Sequence, residues 1–192
     1  MRKRERARNF RHNGAISPPG GPIVLQKGAA PYRYGSRTSD YNGCSWIALY
    51  NLLRQLGDPV EPAEIIDWME GRPPLSGLWL RGLLGTYPWA VRTYLRRRGY
   101  RVKTAFRQKR AAELAAEGLG GIALLVRKNG AHYVAFVPGG EIGMEEDEAI
   151  FHFYNERQGE ERDFRSFSNF WRESRALLGM TMVVTGERKG SL

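Results

Sequence analysis

Residues 40–56 read DYNGCSWIALYNLLRQL, and this stretch decides how the rest of the chain is interpreted. Its apolar residues recur with the period of a helix, which is predicted to begin at Cys44 and to end before Gly57. Cys44, the only cysteine of the chain, therefore lies at the start of that helix. Unpaired backbone N–H groups and the helix dipole favour a thiolate there, and the thiolate is the reactive form of cysteine. A lone cysteine is more often an inert apolar residue, but the position directly after Gly43 favours a reactive thiol.

The segments that follow this helix change from a helical to a strand pattern. Further helices are predicted at residues 59–69 and 88–98, each with a proline in or near its first turn. Strands are then predicted at residues 100–106, 122–128, 131–137, 149–154 and 180–185, with short helices at 111–117 and 168–178. The Asn129-Gly130 pair indicates a tight hairpin between two of these strands. Helices followed by strands predict an α+β fold, in which an N-terminal helical half packs on a C-terminal antiparallel sheet.

The composition is that of one globular domain with an unusual N-terminal segment. The chain has 192 residues, of which 42% are apolar and 26% are charged. Residues 1–35 are rich in Arg, Gly and Pro and have little to bury, so a flexible basic arm is predicted there and a folded domain at 36–192. No apolar run approaches the roughly 18 residues that cross a membrane, and no export signal is recognised. A single cysteine fits a reducing compartment, so a cytoplasmic location is predicted.

The net charge of +10 is concentrated in two segments of the chain. Residues 1–12 contain six basic residues against Glu5 alone, and residues 92–110 contain nine basic residues and no acidic one. A solvated basic surface is the favoured interpretation of such segments. The alternative is a binding surface for an anionic partner such as nucleic acid, an acidic peptide or a membrane.

A histidine and an asparagine in the predicted sheet are candidates to work with the cysteine. His132 lies near the start of a strand that is apolar on both faces, whereas His12 lies in the arm and His152 between two phenylalanines. Asn155 ends the next strand, so its side chain is expected to accept a hydrogen bond from the imidazole of His132. The second imidazole nitrogen would then face the sulfur of Cys44. Nucleophile, base and orienting group in this relation are the general arrangement of activated thiol catalysis.

Three short segments carry a resemblance to a known family. NGCSWIALYN at 42–51, AHYVAF at 131–136 and FYN at 153–155 resemble the papain-like cysteine peptidases, within them the compact bacterial C39-like, bacteriocin-processing group. The resemblance covers residues 38–186 and leaves the N-terminal arm unmatched. It implies a helix packed on an antiparallel sheet and a peptide or protein substrate. Three dispersed histidines and one cysteine have no metal-ligand spacing, so no metal and no cofactor are predicted. It also implies that Cys44 is the nucleophile, His132 the general base and acid, and Asn155 the orienting residue.

The chain departs from the family at the oxyanion hole and at the orienting residue. The family usually places a Gln about six residues before the cysteine, where this chain has Thr38, so Asn42, Thr38 and Gln26 are all candidates for the oxyanion donor. The group mostly uses Asp where this chain has Asn155, and an acidic insertion at 141–148 separates that residue from His132. A thiol acyltransferase, transglutaminase or deamidase would use the same three residues. A non-enzymatic basic module that binds nucleic acid is a further alternative, which the residues do not favour.

Overall fold

The computed structural model describes residues 3–71, 78, 85–140, 149–157, 160–164, 166–186 and 188. The acidic insertion predicted at 141–148 lies outside the described residues.

The N-terminal half of the described chain is mostly helical. It contains, in order, α1 (Lys3–Gly14), a 3-10 helix (Gln26–Ala29), β1 (Arg33–Tyr34), β2 (Arg37–Thr38), α2 (Ser39–Asn42), α3 (Cys44–Gln55), α4 (Pro62–Glu70) and α5 (Pro88–Arg97). The C-terminal half is mostly strand. It contains β3 (Val102–Ala105), α6 (Gln108–Ala116), β4 (Gly120–Arg127), β5 (Gly130–Pro138), β6 (Phe151–Arg157), β7 (Glu160–Phe164), α7 (Phe167–Ser174) and β8 (Leu178–Val184). The predicted α+β class is confirmed.

The main sheet has six strands in the order β3-β8-β4-β5-β6-β7, and all neighbouring strands are antiparallel. The hairpin predicted at Asn129-Gly130 joins β4 to β5. Arg127 pairs with Gly130, so the turn residues are Lys128 and Asn129. Gly130 has a φ of 138°, a backbone conformation that favours glycine. The edge strand β7 was not predicted, because its sequence EERDF lacks the apolar alternation that identifies strands.

Two apolar clusters lie on opposite faces of this sheet. On one face α3 supplies a nearly continuous buried surface from Cys44 to Leu53, which packs together with α4 and α5 against β4, β5 and β8. On the other face α6 and α7 cover a cluster of aromatic rings contributed by Phe136, Phe151, Phe153, Phe167 and Phe170. Because α3 and the central strands share one core, the helix start and the adjacent strand ends are held in a fixed relation.

The N-terminal segment differs from the flexible arm that its composition predicts. Residues Lys3–Gly14 form helix α1, which docks on α4 through polar contacts. Arg6 pairs with both carboxylate oxygens of Asp67, at 2.7 and 2.6 Å. Asn9 is buried and donates to Glu70 and to the carbonyl of Gly35, each at 2.9 Å. An apolar period gives no signal for such a helix, because its buried side chains are amides and not hydrocarbons.

The chain between α1 and β1 is also attached to the domain. Asn51 of α3 is fully buried, and its amide exchanges two hydrogen bonds with the backbone of Ile23, at 2.8 and 3.0 Å. Tyr50 donates to the carbonyl of Pro19 at 2.8 Å. Segment 18–23 therefore lies along α3. Within the described part of the chain, no helix has the length and apolarity that spanning a membrane requires.

Candidate active site

Cys44 is the first residue of α3, as predicted, but a one-turn helix and not a loop precedes it. α2 ends at Asn42, and Gly43 joins the two helices with an ordinary φ of −78°. A Cβ atom at Gly43 would overlap the carbonyl oxygen of Ser39 and lie 2.8 Å from the indole nitrogen of Trp46. That indole nitrogen donates to the Ser39 hydroxyl at 3.0 Å. Close packing between α2 and α3 therefore requires a glycine directly before the cysteine.

His132 and Cys44 are hydrogen-bonded to each other, and each shifts the pKa of the other. Burial alone would raise the pKa of the Cys44 thiol, but the hydrogen bond and charge of His132 outweigh burial and leave that pKa lowered. The backbone N–H groups of Tyr133 and Ser45 also donate to the sulfur. Burial alone would lower the pKa of His132, but the Cys44 sulfur and the Asn155 carbonyl raise it. The shifts favour a thiolate paired with an imidazolium.

Asn155 contacts His132 through its backbone and not through its side chain. The Nε2–H of His132 donates to the carbonyl oxygen of Asn155 at 2.5 Å, which leaves Nδ1 for the thiol. The prediction that adjacent strands bring these two residues together is confirmed, and the predicted acceptor atom is wrong. The reason is a backbone irregularity. The β5–β6 pairing ends at Ala135 and Tyr154, and Asn155 has a φ of 63°, which turns its carbonyl toward the imidazole.

Two substitutions at Asn155 separate the backbone role from a side-chain role. Asn155→Gly is expected to leave the pH profile of Cys44 alkylation within a few-fold of the wild type, because glycine adopts a positive φ without strain. Asn155→Val is expected to lose the low-pH reactivity, because a β-branched residue disfavours that φ and the carbonyl would turn away. Alkylation rates measured by mass spectrometry test both variants. If both variants lost the low-pH reactivity of Cys44 equally, the Asn155 side chain and not its backbone carbonyl would be the group that orients His132.

A cleft of about 690 Å³ opens beside His132. One wall comes from the 3-10 helix and α2, and the other from the β4–β5 hairpin and the end of β6. Cys44 is 9% exposed and adjoins the cleft through its hydrogen bond to His132. The lining residues are Leu25, Gln26, Lys27, Asp40, Arg127, Asn129, Gly130, Ala131, His132, Asn155 and Glu156.

The three candidates for an oxyanion donor lie in different environments. Gln26 lines the cleft, and its side-chain amide donates to the carbonyls of Ser39 and Asp40 at 3.3 and 3.0 Å. Asn42 is buried, and its amide donates to the Tyr34 carbonyl at 3.2 Å. Thr38 is exposed at the end of β2 and does not line the cleft. Of the three, Gln26 alone lines the cleft, although it is eighteen residues before Cys44 in the sequence and its amide already donates to two carbonyls.

A buried hydroxyl network fixes the start of α3. The Thr86 hydroxyl lies 2.6 Å from the Ser45 hydroxyl and 2.8 Å from the Tyr34 hydroxyl, and Tyr133 donates to the Thr86 carbonyl at 2.8 Å. Ser45 follows Cys44, and Tyr133 follows His132. The network thus joins the neighbours of both reactive residues. Sequence reasoning missed it, because four separate hydroxyl residues give no local pattern.

An ion pair borders the cleft on the sheet side. Arg127 at the end of β4 lies 3.2 Å from a carboxylate oxygen of Glu156, whose side chain is 1% exposed. Arg127 also donates to the Ser174 carbonyl at 2.9 Å, so its position is fixed from two sides. Its positive charge opposes protonation of His132 and limits the rise in that pKa. Local sequence patterns do not predict this pair, because a single charge near each strand end does not identify its partner.

Comparisons with known proteins find neither a matching family model nor a matching curated protein. Within the described residues, no group of three or more His, Cys, Asp or Glu side chains is arranged to hold a metal ion.

Proposed function

We propose that this chain is a papain-like cysteine peptidase, or a closely related thiol hydrolase, with Cys44 as nucleophile and His132 as general base and acid. The main support is that one imidazole is bonded both to the thiol and to the Asn155 carbonyl, and that the paired pKa values move in opposite directions. A cysteine at a helix start packed against the histidine-bearing sheet is also the arrangement that the family resemblance implies.

The mechanism follows from where the groups lie. The Cys44 thiolate attacks an amide carbonyl carbon, forming a C–S bond and placing the π electrons on oxygen. Backbone N–H groups at the start of α3 are candidate donors for that oxyanion, and Gln26 lines the same cleft as His132. When the C–N bond breaks, the His132 imidazolium gives its proton to the departing amine. His132 then takes a proton from water as the water attacks the thioester, which releases the acid and restores the thiolate.

The Asn155 carbonyl orients the base throughout this cycle. Because Nε2–H donates to that carbonyl, the imidazole keeps Nδ1 directed at the sulfur in both protonation states. A neutral carbonyl stabilises the imidazolium less than a carboxylate would. Most of the stabilisation of the His132 imidazolium therefore comes from the paired Cys44 thiolate. The fate of the thioester is set by the acceptor: water gives a hydrolase, and an amine gives an acyltransferase.

Product analysis tests the proposal directly. Wild-type protein incubated with a complex peptide mixture is expected to give new termini that Cys44→Ser does not give, since Ser is much less acidic than Cys beside the same base. Intact-mass analysis is expected to detect an acyl adduct on Cys44. Added amine separates the two fates: amide products identify an acyltransferase, and carboxylate products identify a hydrolase. If no product and no adduct forms across the mixture, the peptidase proposal fails.

A further inference from the structure

Four large apolar side chains stand out from one end of the main sheet. Trp89 is 53% exposed, Phe106 is 66% exposed, and Leu177 and Leu178 are 63% and 72% exposed. They come from three places in the chain, namely the start of α5, the β3–α6 connection, and the end of the α7–β8 connection together with the first residue of β8. We call these four residues the apolar rim. Folded domains usually scatter their exposed apolar side chains singly, so a cluster of this kind indicates a contact surface.

The apolar rim is continuous and held on a fixed backbone. Two shallow hollows of about 280 and 240 Å³ lie along it and share Phe106, Leu178 and Gly179. The backbone N–H of Leu177 donates to the carbonyl of Val126 at 2.8 Å, which ties the rim to β4. Leu177 and Leu178 thus project into solvent from an anchored strand end and not from a long loop.

Basic side chains adjoin the apolar rim. The guanidinium carbon of Arg92 lies 5.9 Å from the centre of the Trp89 ring, and the exposed residues Arg107 and Lys109 follow Phe106 by one and three positions. Other members of the basic segment at 92–110 have partners elsewhere. Arg98 pairs with Asp58 at 2.5 Å, Arg97 lies over Trp68, and Arg110 pairs with Glu113 at 2.8 Å. The basic residues of segment 92–110 therefore lie on different parts of the folded surface, and some of them border the apolar rim.

We propose that the apolar rim binds the surface of a bilayer that contains anionic lipids. Trp, Phe and Leu side chains are those that enter the boundary between headgroups and acyl chains, and flanking Arg and Lys pair with anionic headgroups. Nucleic acid fits the surface less well, because two of the four rim side chains, including Leu178 as the most exposed, are leucines, which cannot stack on bases as aromatic rings do. Contributions from three chain segments at one sheet end suit a planar partner.

The apolar rim lies at the same end of the sheet as the candidate active site. Leu178 of β8 pairs with Val126 of β4, and Val126 pairs with Ala131 of β5, the residue before His132. Two strand spacings separate Leu178 from Ala131, which is about 10 Å. Binding through the rim would therefore hold the cleft close to the bilayer surface. The inference does not depend on the proposed chemistry, because it rests on exposed side chains that the mechanism does not use.

Vesicle co-sedimentation with the full chain tests the inference. Vesicles of phosphatidylcholine mixed with phosphatidylserine are expected to bind the protein, and phosphatidylcholine alone to bind it weakly. Leu177→Ser with Leu178→Ser is expected to weaken binding by about 10-fold for each leucine. Arg107→Gln with Lys109→Gln is expected to weaken it by about 5-fold for each charge. The leucine substitutions are expected to weaken binding to both vesicle types, and the charge substitutions only binding to the anionic vesicles.

Matched variants at the opposite end of the sheet serve as controls. Ile150→Ser removes an exposed apolar side chain next to β6, and Arg101→Gln removes an exposed charge next to β3. Both are expected to bind vesicles like the wild type, and an unchanged rate of Cys44 alkylation shows that each variant is folded. The inference is overturned if the protein ignores anionic vesicles, or if rim and control variants bind equally. Competition by single-stranded DNA that persists in the leucine variant would assign the surface to nucleic acid instead.

Discussion

In the His132→Ala variant, alkylation of Cys44 by iodoacetamide is expected to become at least about 100-fold slower near pH 6 than in the wild type. The wild-type thiol keeps a lowered pKa because its bond to His132 outweighs burial. Without the imidazole, only the backbone N–H groups of Tyr133 and Ser45 still oppose burial, which raises the pKa of Cys44, so little thiolate is expected at that pH. Peptide hydrolysis is expected to fall by about 10³-fold, because both the base and the acid are lost.

The pH dependence of Cys44 alkylation follows from the directions of the two pKa shifts. The pKa of Cys44 is lowered and the pKa of His132 is raised, so thiolate and imidazolium coexist between the two values. Wild-type reactivity should persist below the ordinary thiol pKa of about 8.5 and disappear only below the lowered value. Because the chain has one cysteine, intact-mass spectrometry reads the alkylated fraction directly.

His152→Ala is the matched control for this prediction. His152 lies on β6 opposite Val137, toward the end of the sheet remote from the cleft, and should not affect the thiol. If His132→Ala retains the wild-type profile, or if both histidine variants change it equally, the imidazole does not activate Cys44. The peptidase proposal would then lose its main support, and the apolar rim would be the better starting point for finding a function.

The Glu70→Gln variant is expected to be about 3 kcal/mol more stable than the wild type near pH 8, and about equally stable near pH 4. Burial raises the pKa of Glu70 from 4.5 to about 7, and the charges of Asp67 and Glu5 add to the rise. Hydrogen bonds from Asn9 and from the backbone N–H of Gly35 oppose it without cancelling it. The ionised carboxylate is therefore costly where α1, α4 and the β1–β2 turn meet.

The direction of the pH dependence follows from proton binding. The folded state holds the Glu70 proton more tightly than the unfolded state does, so its stabilisation is complete below pH 4.5 and is lost as the pH rises through about 7. Denaturant unfolding across this pH range should show that the free energy of unfolding falls with rising pH in the wild type and not in Glu70→Gln. Glu113→Gln on α6, which replaces a more exposed glutamate, should keep the wild-type slope. If the Glu70→Gln slope equals that of the wild type, this carboxyl is not the titrating group.

Local patterns in the sequence correctly predicted the parts of the fold that carry the reactive residues. The apolar period after Gly43 placed Cys44 at a helix start, and the Asn129-Gly130 pair placed His132 near the start of a hairpin strand. Asn155 was predicted to end the next strand; it lies on that strand, which continues to Arg157. These features depend on neighbours within a few residues, so a single sequence is enough to predict them.

Other features depended on contacts between distant segments. The acceptor for His132 is the Asn155 carbonyl because of one positive φ at a bulge, which residue type alone does not fix. Gln26 reaches the cleft because the 3-10 helix packs on α2, and α1 is helical because Asn9 and Arg6 find partners on α4.

The sequence by itself therefore determined the α+β class and the elements that carry Cys44, His132 and Asn155. Tertiary structure decided which atom orients the base, which candidate donor borders the cleft, and which basic side chains adjoin the apolar rim. The physical reason is that apolar periodicity is written along the chain, whereas hydrogen bonds and ion pairs between remote segments form only after the chain has folded.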